Sequence, residues 1–221
     1  MGRQRRPADR GLSHVHEPAR QGGADQWRRD PDRCDLTDDA ALGDALGQVR
    51  QRWGRIDLVI NLACTYLDQG IASDRSEWLR ALDINLVSAV QLVRAVHADL
   101  KVNGGVVINF TSISAGCAQT GRWLYPVSKA ALHQLTRCMA MDLAADGIRV
   151  NSVSPGWTWS RVIAEVSGGD RAKADRVAAD YHLLGRLGRS GPGGGLPLFA
   201  GGQLRHWRGL RGGWRLLGDG T

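Results

Sequence analysis

The sequence lacks the features that mark a metalloprotein, a protein with a paired-thiol redox centre or a membrane protein. No two of its four cysteines have the spacing of metal ligands or of a Cys-x-x-Cys motif: Cys34, Cys64, Cys117 and Cys138. No metal site is therefore expected, and the cysteines are interpreted as small apolar residues of a reducing compartment. No apolar run approaches the length of a membrane span, and no apolar signal-peptide core follows the arginine-rich start. These absences predict a soluble cytoplasmic protein without a membrane partner.

The positive charge of the chain lies at its two ends. The formal net charge is +7, and residues 1–33 carry eight Arg against five acids while residues 186–221 carry six Arg against one acid. Residues 1–33 show no apolar periodicity and predict an irregular basic arm, and residues 189–221, rich in Gly, Arg and Trp, predict an irregular tail. Unpatterned basic ends bind polyanions weakly, so no specific nucleic acid is expected as a partner. Nucleic-acid binding through the two ends is the third of three hypotheses for function, and the first two rest on residues 34–188.

Residues 34–188 have the alternating strand and helix pattern of an α/β protein with a single core. The apolar runs 106–111 and 148–154 predict buried strands. The run 56–63 predicts a further strand, buried on both faces as a parallel sheet requires.

Local signals place the helices between these strands. Thr37 is a candidate N-cap for a helix that ends at Gly54, and Asp74 with Glu77 fits a capping box before an apolar helical pattern that reaches about Leu100. A further helix, from Tyr125 to a stop at Gly147, and a polar helical stretch at 161–184 complete the pattern.

Tyr125 and Lys129 form the most informative pair in the chain. They are four residues apart, so on a helix they lie one turn apart on the same face. A free tyrosine has a pKa of about 10, and a cation held close to the phenol lowers that pKa. Ser112 follows the predicted strand 106–111, and the carboxyl end of a strand is where open α/β sheets bind ligands. The tyrosine and lysine alone would also fit a solvated helix face.

Several further motifs stand in the order and spacing of the classical short-chain dehydrogenase/reductase family, which this chain resembles from about Asp35 to about Gly188. They are Asp35-Leu36, Gly54-Arg-Ile-Asp57, Asn61-Leu-Ala63, Asn85, Ser112, Tyr125-Pro-Val-Ser-Lys129 and Asn151-Ser-Val-Ser-Pro-Gly156. The resemblance implies a Rossmann-like, doubly wound parallel sheet whose first strands and last strand are in doubt here. It also implies an oxidoreductase that interconverts a secondary alcohol and a ketone with NAD or NADP.

The resemblance implies a catalytic set of Asn85, Ser112, Tyr125 and Lys129. Tyr125 would exchange a proton with the substrate oxygen, Ser112 would hydrogen-bond that oxygen, and Lys129 would lower the pKa of the phenol and hold the nicotinamide ribose. Asn85 would bend its helix and hold a water of the proton path. A paired polar residue in a helix kink describes the same position, and this alternative stays open.

The resemblance also implies which residues bind the cofactor. Asp35 would contact the adenine, although it also fits a turn before the first helix. Asn61 would brace the sheet, and Thr158 would bind the nicotinamide carboxamide. The full set is Asp35, Asn61, Ala63, Tyr125, Lys129, Pro155, Gly156 and Thr158.

The implied partners are a small-molecule alcohol or ketone and further copies of the chain. Trp157 and Trp159 could form the wall of a pocket for an apolar or aromatic substrate, or they could pack without contacting a ligand. In the family, helices such as the one that carries Tyr125 form a bundle between subunits, so a homo-oligomer, a dimer or a tetramer, is expected.

The chain departs from the family pattern at three places. Leu62 and Cys64 replace Asn and Gly of the family's Asn-Asn-Ala-Gly loop, residues 1–33 do not match its glycine-rich turn, and residues from 186 onward do not match its last helix and strand. The two end departures suggest a shifted reading frame or a decayed gene, which sequencing of the source DNA tests. The second hypothesis for function is therefore a truncated homologue with little or no cofactor binding, whose strand 56–63 forms an exposed edge.

Overall fold

The computed structural model describes residues 34–179, 187 and 210–211. The predicted basic arm lies outside the described residues, and so does the predicted tail apart from Leu210–Arg211. The helices and strands are α1 Asp39–Trp53, β1 Leu58–Asn61, α2 Arg75–Leu82, α3 Ser88–Asn103, β2 Val106–Phe110, α4 Leu124–Asp142, β3 Arg149–Ser154, α5 Arg161–Ser167, α6 Arg171–Ala178 and β4 Leu210–Arg211.

The described strands form a parallel sheet in the order β1-β2-β3-β4. Val107 in β2 lies in register with Val59 in β1 and Val150 in β3, and helices connect the first three strands. The Rossmann-like α/β fold is therefore confirmed. The two-residue strand β4 corrects the expectation that the tail contains no strand. Its pairing partner is the end of β3, a contact that local side-chain alternation does not reveal.

The main hydrophobic core joins the sheet to helices α1, α3 and α4. Strands β2 and β3 are buried along nearly their whole length, which is why their sequences read as continuous apolar runs. The buried members of this core are Leu42, Leu46, Ile56, Val59, Val93, Val96, Leu100, Val107, Met139, Ala140, Ile148 and Val150.

Strand β1 is less buried than the sequence predicts. Only Val59 of its four residues is buried, while Leu58 is 40% exposed, Ile60 41% and the following Leu62 59%. Within the described sheet β1 pairs with β2 alone, so one edge and the side chains beside it stay open. The prediction of burial on both faces was wrong because Leu58 and Ile60 lie on one face of the strand, which the described residues leave exposed, while Val59 faces the core.

The helix boundaries follow the predicted signals with one shift and one interruption. The capping box of Asp74 and Glu77 is confirmed. The N-cap of α1 is Asp38 instead of Thr37, because the carboxylate of Asp38 accepts hydrogen bonds from the backbone of Ala40 and Ala41. The helical pattern up to Leu100 is confirmed, but a π-helical turn, Asp83–Val87, separates α2 from α3.

Candidate active site

The carboxyl ends of β2 and β3 bring Ser112 next to the turn at Pro155. The backbone N–H of Thr111 donates to the carbonyl of Val153 over 2.8 Å, and the N–H of Ile113 donates to the carbonyl of Pro155 over 3.1 Å. These two bonds lie on either side of Ser112 in the chain and continue the pairing of the strands. Ser112 and the Pro155-Gly156 turn therefore lie side by side at the edge of the sheet where α/β proteins bind ligands.

Ser112 is buried, and its hydroxyl is oriented by a neighbouring serine. The hydroxyl accepts a hydrogen bond from the N–H of Ser114 and donates to the Oγ of Ser114, both over 3.1 Å. Hydrogen bonding from Ser112 also lowers the pKa of the phenol of Tyr125. The structure thus brings Ser112 and Tyr125 together, as the sequence predicts, and adds Ser114, which the sequence analysis did not identify.

Lys129 is buried beneath Tyr125 on helix α4. Its ammonium donates to the carbonyl of Phe110, the last residue of β2, over 2.9 Å and lies 5.7 Å from the centre of the Tyr125 ring. The side chain is 2% exposed, and burial lowers its pKa. One turn of helix therefore places a desolvated cation under the phenol and fixes it to the sheet.

The pKa of Tyr125 differs in direction from the prediction. Burial raises it to about 12, and the negative charge of a Cys64 thiolate would raise it as well. Hydrogen bonding from Ser112 and Tyr66, together with the nearby charge of Arg122, acts in the opposite direction. Lys129 is not among these causes, so the expectation of a lowered pKa is not met and Tyr125 is protonated at neutral pH.

Tyr66 stacks on Tyr125, a contact that the sequence analysis did not identify. The ring centres are 5.0 Å apart and the planes differ by 22°. Burial raises the pKa of Tyr66, and the neighbouring Tyr125 and Cys64 raise it further. The two phenols therefore share one partly buried site, and the chain carries only three tyrosines in all.

Asn85 connects the π-helical turn to helix α4. It is 2% exposed, and its Oδ1 accepts from the N–H of Thr65 over 2.7 Å. Its Nδ2 donates to the carbonyl of Thr65 over 3.1 Å and to the hydroxyl of Ser128 over 3.0 Å. Ser128, which no sequence pattern singled out, donates in turn to the carbonyl of Tyr125 over 2.8 Å. The helix kink of the alternative interpretation is thus present, and the Asn85 amide is hydrogen-bonded through both Oδ1 and Nδ2.

Asp68 contacts the start of α4 from a distant part of the chain. Its Oδ2 accepts from the N–H of Tyr125 over 2.9 Å, and its Oδ1 accepts from the N–H of Trp123 and of Gly70, both over 3.0 Å. No local spacing signals this contact, because Asp68 precedes Tyr125 by 57 positions. Only the folded chain reveals it.

The residues near β1 line a small open cleft. Asn61 braces the sheet as expected, since its Nδ2 donates to the Oδ1 of Asn109 on β2 over 2.7 Å. Of the predicted cofactor-binding residues, the cleft contains Asn61 and Ala63, and it also includes Asn85. Its lining is Leu36, Ile60, Asn61, Leu62, Ala63, Ile84, Asn85, Ser88, Ala89, Leu92 and Leu132.

Asp35 forms the turn described by its alternative interpretation. Its Oδ1 accepts hydrogen bonds from the N–H of Thr37 over 3.0 Å and from the hydroxyl of Thr37 over 2.7 Å. The neighbouring Leu36 lines the cleft, so the turn lies at the edge of that space. Asp35 is thus separated in the fold from the Tyr125 cluster but adjoins the cleft beside β1.

The segment after β3 packs on a small second core. Trp157 and Trp159 lie against Ala174, Ala178 and Leu187, which supports the packing interpretation of the two indoles. Between them, the hydroxyl of Thr158 donates to the carbonyl of Gly156 over 3.3 Å. This bond folds the segment back onto the Pro155-Gly156 turn.

Across 34–179, 187 and 210–211, no three His, Cys, Asp or Glu side chains are grouped in a way that could hold a metal ion. Within the same residues, every helix is too short or too polar to cross a membrane.

A protein-family profile described as enoyl-(acyl carrier protein) reductase matches residues 7–199, which is well over half of the chain. The chain belongs to the short-chain dehydrogenase/reductase family. The match begins before Asp35 and ends after Gly188, so it extends beyond the range in which the sequence analysis found the resemblance.

Known proteins of this family give the same result. The short-chain reductase NovJ of Streptomyces niveus is 31% identical over 70% of this chain and 61% of its own length. A 7α-hydroxysteroid dehydrogenase solved with NADH and 7-oxo glycochenodeoxycholic acid is 26% identical, with a TM-score of 0.64 over 71% of this chain and 61% of the other. A gluconate 5-dehydrogenase from Burkholderia cenocepacia solved with NADP and tartrate is 25% identical, with a TM-score of 0.63 over 71% and 62%. The chain spans about three fifths of the length of these relatives.

Proposed function

We propose that this protein is an oxidoreductase that interconverts a secondary alcohol and a ketone with NAD or NADP. The observation that carries the proposal is the cluster at the end of β2, where Ser112 lies beside the phenol of Tyr125 and Lys129 lies beneath it. A hydrogen-bonding hydroxyl, a protonated phenol and a buried cation are the groups needed to protonate a carbonyl oxygen as negative charge develops on it.

The donor set at this cluster fits the nicotinamide half of a dinucleotide. The ammonium of Lys129 uses one bond to the carbonyl of Phe110, which leaves donors for ribose hydroxyls. Pro155 and Gly156 lie beside Ser112, where a flat ring could rest against the backbone. Relatives of similar fold were solved with NADH and with NADP, which supports the same cofactor class here. Bound cofactor would supply or accept the hydride.

In the reducing direction the chain's residues handle the proton. Tyr125 is protonated at neutral pH because burial raises its pKa to about 12, so its hydroxyl can donate to the carbonyl oxygen. Ser112 would hydrogen-bond the same oxygen, and its own orientation is set by Ser114. Lys129 would hold the ribose and then help to restore the proton of Tyr125.

The proton would return to Tyr125 by way of Lys129 and the polar residues around Asn85. Asn85 binds Ser128 and Thr65, so its contribution is to keep the π-helical turn and helix α4 together beside the proton path. In the oxidising direction Tyr125 must first lose its proton. Because its pKa is raised, we expect oxidation to accelerate as the pH rises into the alkaline range.

The substrate would be a small-molecule alcohol or ketone, and the protein would form a homo-oligomer. Exposed apolar side chains on α2, α3 and α4 support the second point, because such residues commonly mark contact surfaces between subunits. They are Leu79 at 61% exposure, Val102 at 78%, Val127 at 49% and Met141 at 79%. Sedimentation of the purified chain would test the oligomer.

A second candidate is a truncated homologue that associates through β1 and binds little cofactor. The exposed Leu58, Ile60 and Leu62 along the open edge of the described sheet favour it. The third hypothesis, nucleic-acid binding by the basic ends, concerns residues outside the described part of the chain.

Cofactor-dependent protection from thermal unfolding separates the first two candidates. We expect NAD(H) or NADP(H) to raise the Tm of the wild-type protein, and Lys129→Ala to reduce that rise. Steady-state reduction of a panel of ketones would then give turnover that Tyr125→Phe removes. A protein that self-associates and whose Tm changes with neither cofactor would favour the second candidate and contradict the first.

A further inference from the structure

Helix α4 begins at a residue that cannot cap it. Trp123, the residue before the helix, supplies no side-chain hydrogen bond to the first turn. Pro126, the third residue of the helix, has no N–H, so the donors of the first turn that need a partner include Tyr125 itself. A helix that carries a catalytic phenol in its first turn therefore needs a cap from elsewhere in the chain.

Asp68 provides that cap. Each carboxylate oxygen accepts from a different N–H of the helix start. Oδ2 accepts from the N–H of Tyr125 over 2.9 Å, and Oδ1 accepts from the N–H of Trp123 over 3.0 Å. A negative side chain is also favoured at the positive end of a 19-residue helix. The contact fixes the backbone of the residue whose side chain would transfer the proton.

The loop that carries Asp68 is held by three other contacts. Asn85 binds both backbone groups of Thr65, and the ring of Tyr66 stacks on Tyr125. Gly70 has a φ of +58°, and a Cβ there would approach the carbonyl oxygen of Gly121 to 3.0 Å. The loop thus approaches the segment before α4 more closely than a larger residue would allow, so Asp68 has little freedom to leave its position.

We propose that Asp68 is the positioning residue for Tyr125, which deepens and rests on the proposed oxidoreductase function. Asp68 keeps the first turn of α4 closed, and through it the phenol stays against Ser112 and Tyr66. Hydrogen bonding from these two residues lowers a pKa that burial raises. Loss of the cap therefore displaces the phenol from these partners and slows proton transfer.

The kinetic test uses Asp68→Asn and Asp68→Ala in the full-length chain. The isosteric amide keeps one acceptor but places a donor toward the N–H of Tyr125, while alanine removes both acceptors. We expect kcat to fall by about 10- to 100-fold, more in Asp68→Ala than in Asp68→Asn, with little change in KM. The pH dependence of oxidation should also change, because the displaced phenol loses both its burial and these hydrogen-bond donors.

Asp74→Asn is the matched control. Asp74 caps α2 by accepting from the N–H of Glu77 over 2.9 Å, but it does not contact α4 in any described hydrogen bond. This variant loses a helix cap of the same kind, so a purely structural effect would appear in both. We expect its kcat and pH profile to match the wild type. Equal losses in the Asp68 and Asp74 variants would overturn the proposal.

A second measurement is independent of turnover. With only three tyrosines, a chain labelled with ¹³C in the tyrosine rings gives a simple NMR spectrum, and Tyr125→Phe assigns the signal of Tyr125. We expect that signal to shift at neutral pH in both Asp68 variants and to stay unchanged in Asp74→Asn. A Tyr125 signal that stays unchanged in Asp68→Asn and Asp68→Ala refutes the positioning role. Absent turnover in the wild type, with the shift present, refutes the proposed function alone.

Discussion

At the carboxyl end of β2 the candidate site is buried and tightly hydrogen-bonded, whereas along β1 it is open. Lys129 and Ser112 are buried and each has a defined partner in the sheet or the adjoining loop. By contrast, Ile60 and Leu62 expose about half of their surface beside the cleft. The region around Ser112, Tyr125 and Lys129 is called the tyrosine half. The region beside β1, with Asp35, Ile60 and Leu62, is called the β1 half.

This difference in burial indicates that the two parts of the candidate site depend on different contacts. One part holds the groups for proton transfer, and the other offers a surface to the part of the cofactor beyond the nicotinamide. The tyrosine half is assembled within residues 65–156, from β2, β3, α4 and the loop of Asp68. The β1 half has only one described neighbouring strand. We therefore expect substitutions in the tyrosine half to affect the rate of the chemical step, and those in the β1 half to affect cofactor binding.

The largest effect is expected from Tyr125→Phe compared with Asp35→Ala. Removal of the phenolic proton donor should lower kcat by about 10²- to 10⁴-fold while cofactor still protects the protein against heat. Asp35→Ala, in the β1 half, should raise the KM for the cofactor with kcat unchanged. Steady-state kinetics of both variants with one ketone would measure this. A fall of kcat in Asp35→Ala as large as in Tyr125→Phe would contradict the assignment of the chemical step to the tyrosine half alone.

The next effect concerns stability, with Leu100→Ala compared with Leu62→Ala. Leu100 is fully buried in the main core, so its truncation should lower the free energy of unfolding by about 2–5 kcal/mol. Leu62 is 59% exposed, and its truncation should change that energy by less than about 0.5 kcal/mol. Urea unfolding measures both. A large loss in Leu62→Ala would show that another segment or subunit covers β1.

A smaller effect is expected from Ser128→Ala. The substitution leaves a donor of the buried Asn85 amide without its partner, which should lower the free energy of unfolding by about 1–3 kcal/mol. Asn61→Ala removes the donor to the Oδ1 of the buried Asn109. Because Asn61 lines the open cleft, water can replace that donor, and the cost should be about 0.5–1.5 kcal/mol. The same urea titrations give both values, and the reverse order would contradict the assignment of the tighter network to the tyrosine half.

The last effect is the dependence of stability on alkaline pH. The pKa of Tyr125 is about 12 in the folded chain against about 10 in an unfolded one, so the folded state holds this proton more tightly. Its contribution is complete below about pH 10 and is lost as the pH rises towards about 12. Lys129, with its lowered pKa, acts in the opposite sense.

Comparison with Tyr125→Phe isolates the contribution of the phenol to this pH dependence. Between about pH 9 and about pH 11 the free energy of unfolding should fall more in the wild type than in the variant. Equal slopes in the two proteins would mean that the phenol is not buried as the structure shows.

The sequence predicted those parts of the fold and site that depend on local patterns. The capping box of Asp74 and Glu77 follows from a three-residue spacing, and β2 and β3 follow from apolar runs that are buried by neighbours on both sides. The proximity of Tyr125 and Lys129 follows from the geometry of one helical turn. Each of these features is set within a few residues of the chain.

The remaining features depend on contacts between distant residues. The cap that Asp68 gives to α4 and the stacking of Tyr66 on Tyr125 join segments that no sequence spacing relates. The raised pKa of Tyr125 has the same origin, because the spacing to Lys129 is visible in the sequence while the burial of the phenol is not. The prediction that β1 is buried on both faces was wrong for a related reason, since the local apolar run does not reveal that the face of Leu58 and Ile60 is exposed.

The π-helical turn at Asp83–Val87 fixes the length of the chain between α2 and α3. Compared with an uninterrupted α-helix it accommodates one extra residue, which rotates everything after it by about 100° relative to everything before it. Removal of a single residue such as Ile84 would let the helix run straight and would carry the amide of Asn85 away from Thr65. The position of Asn85 in the fold should therefore tolerate no change in the number of residues in this turn.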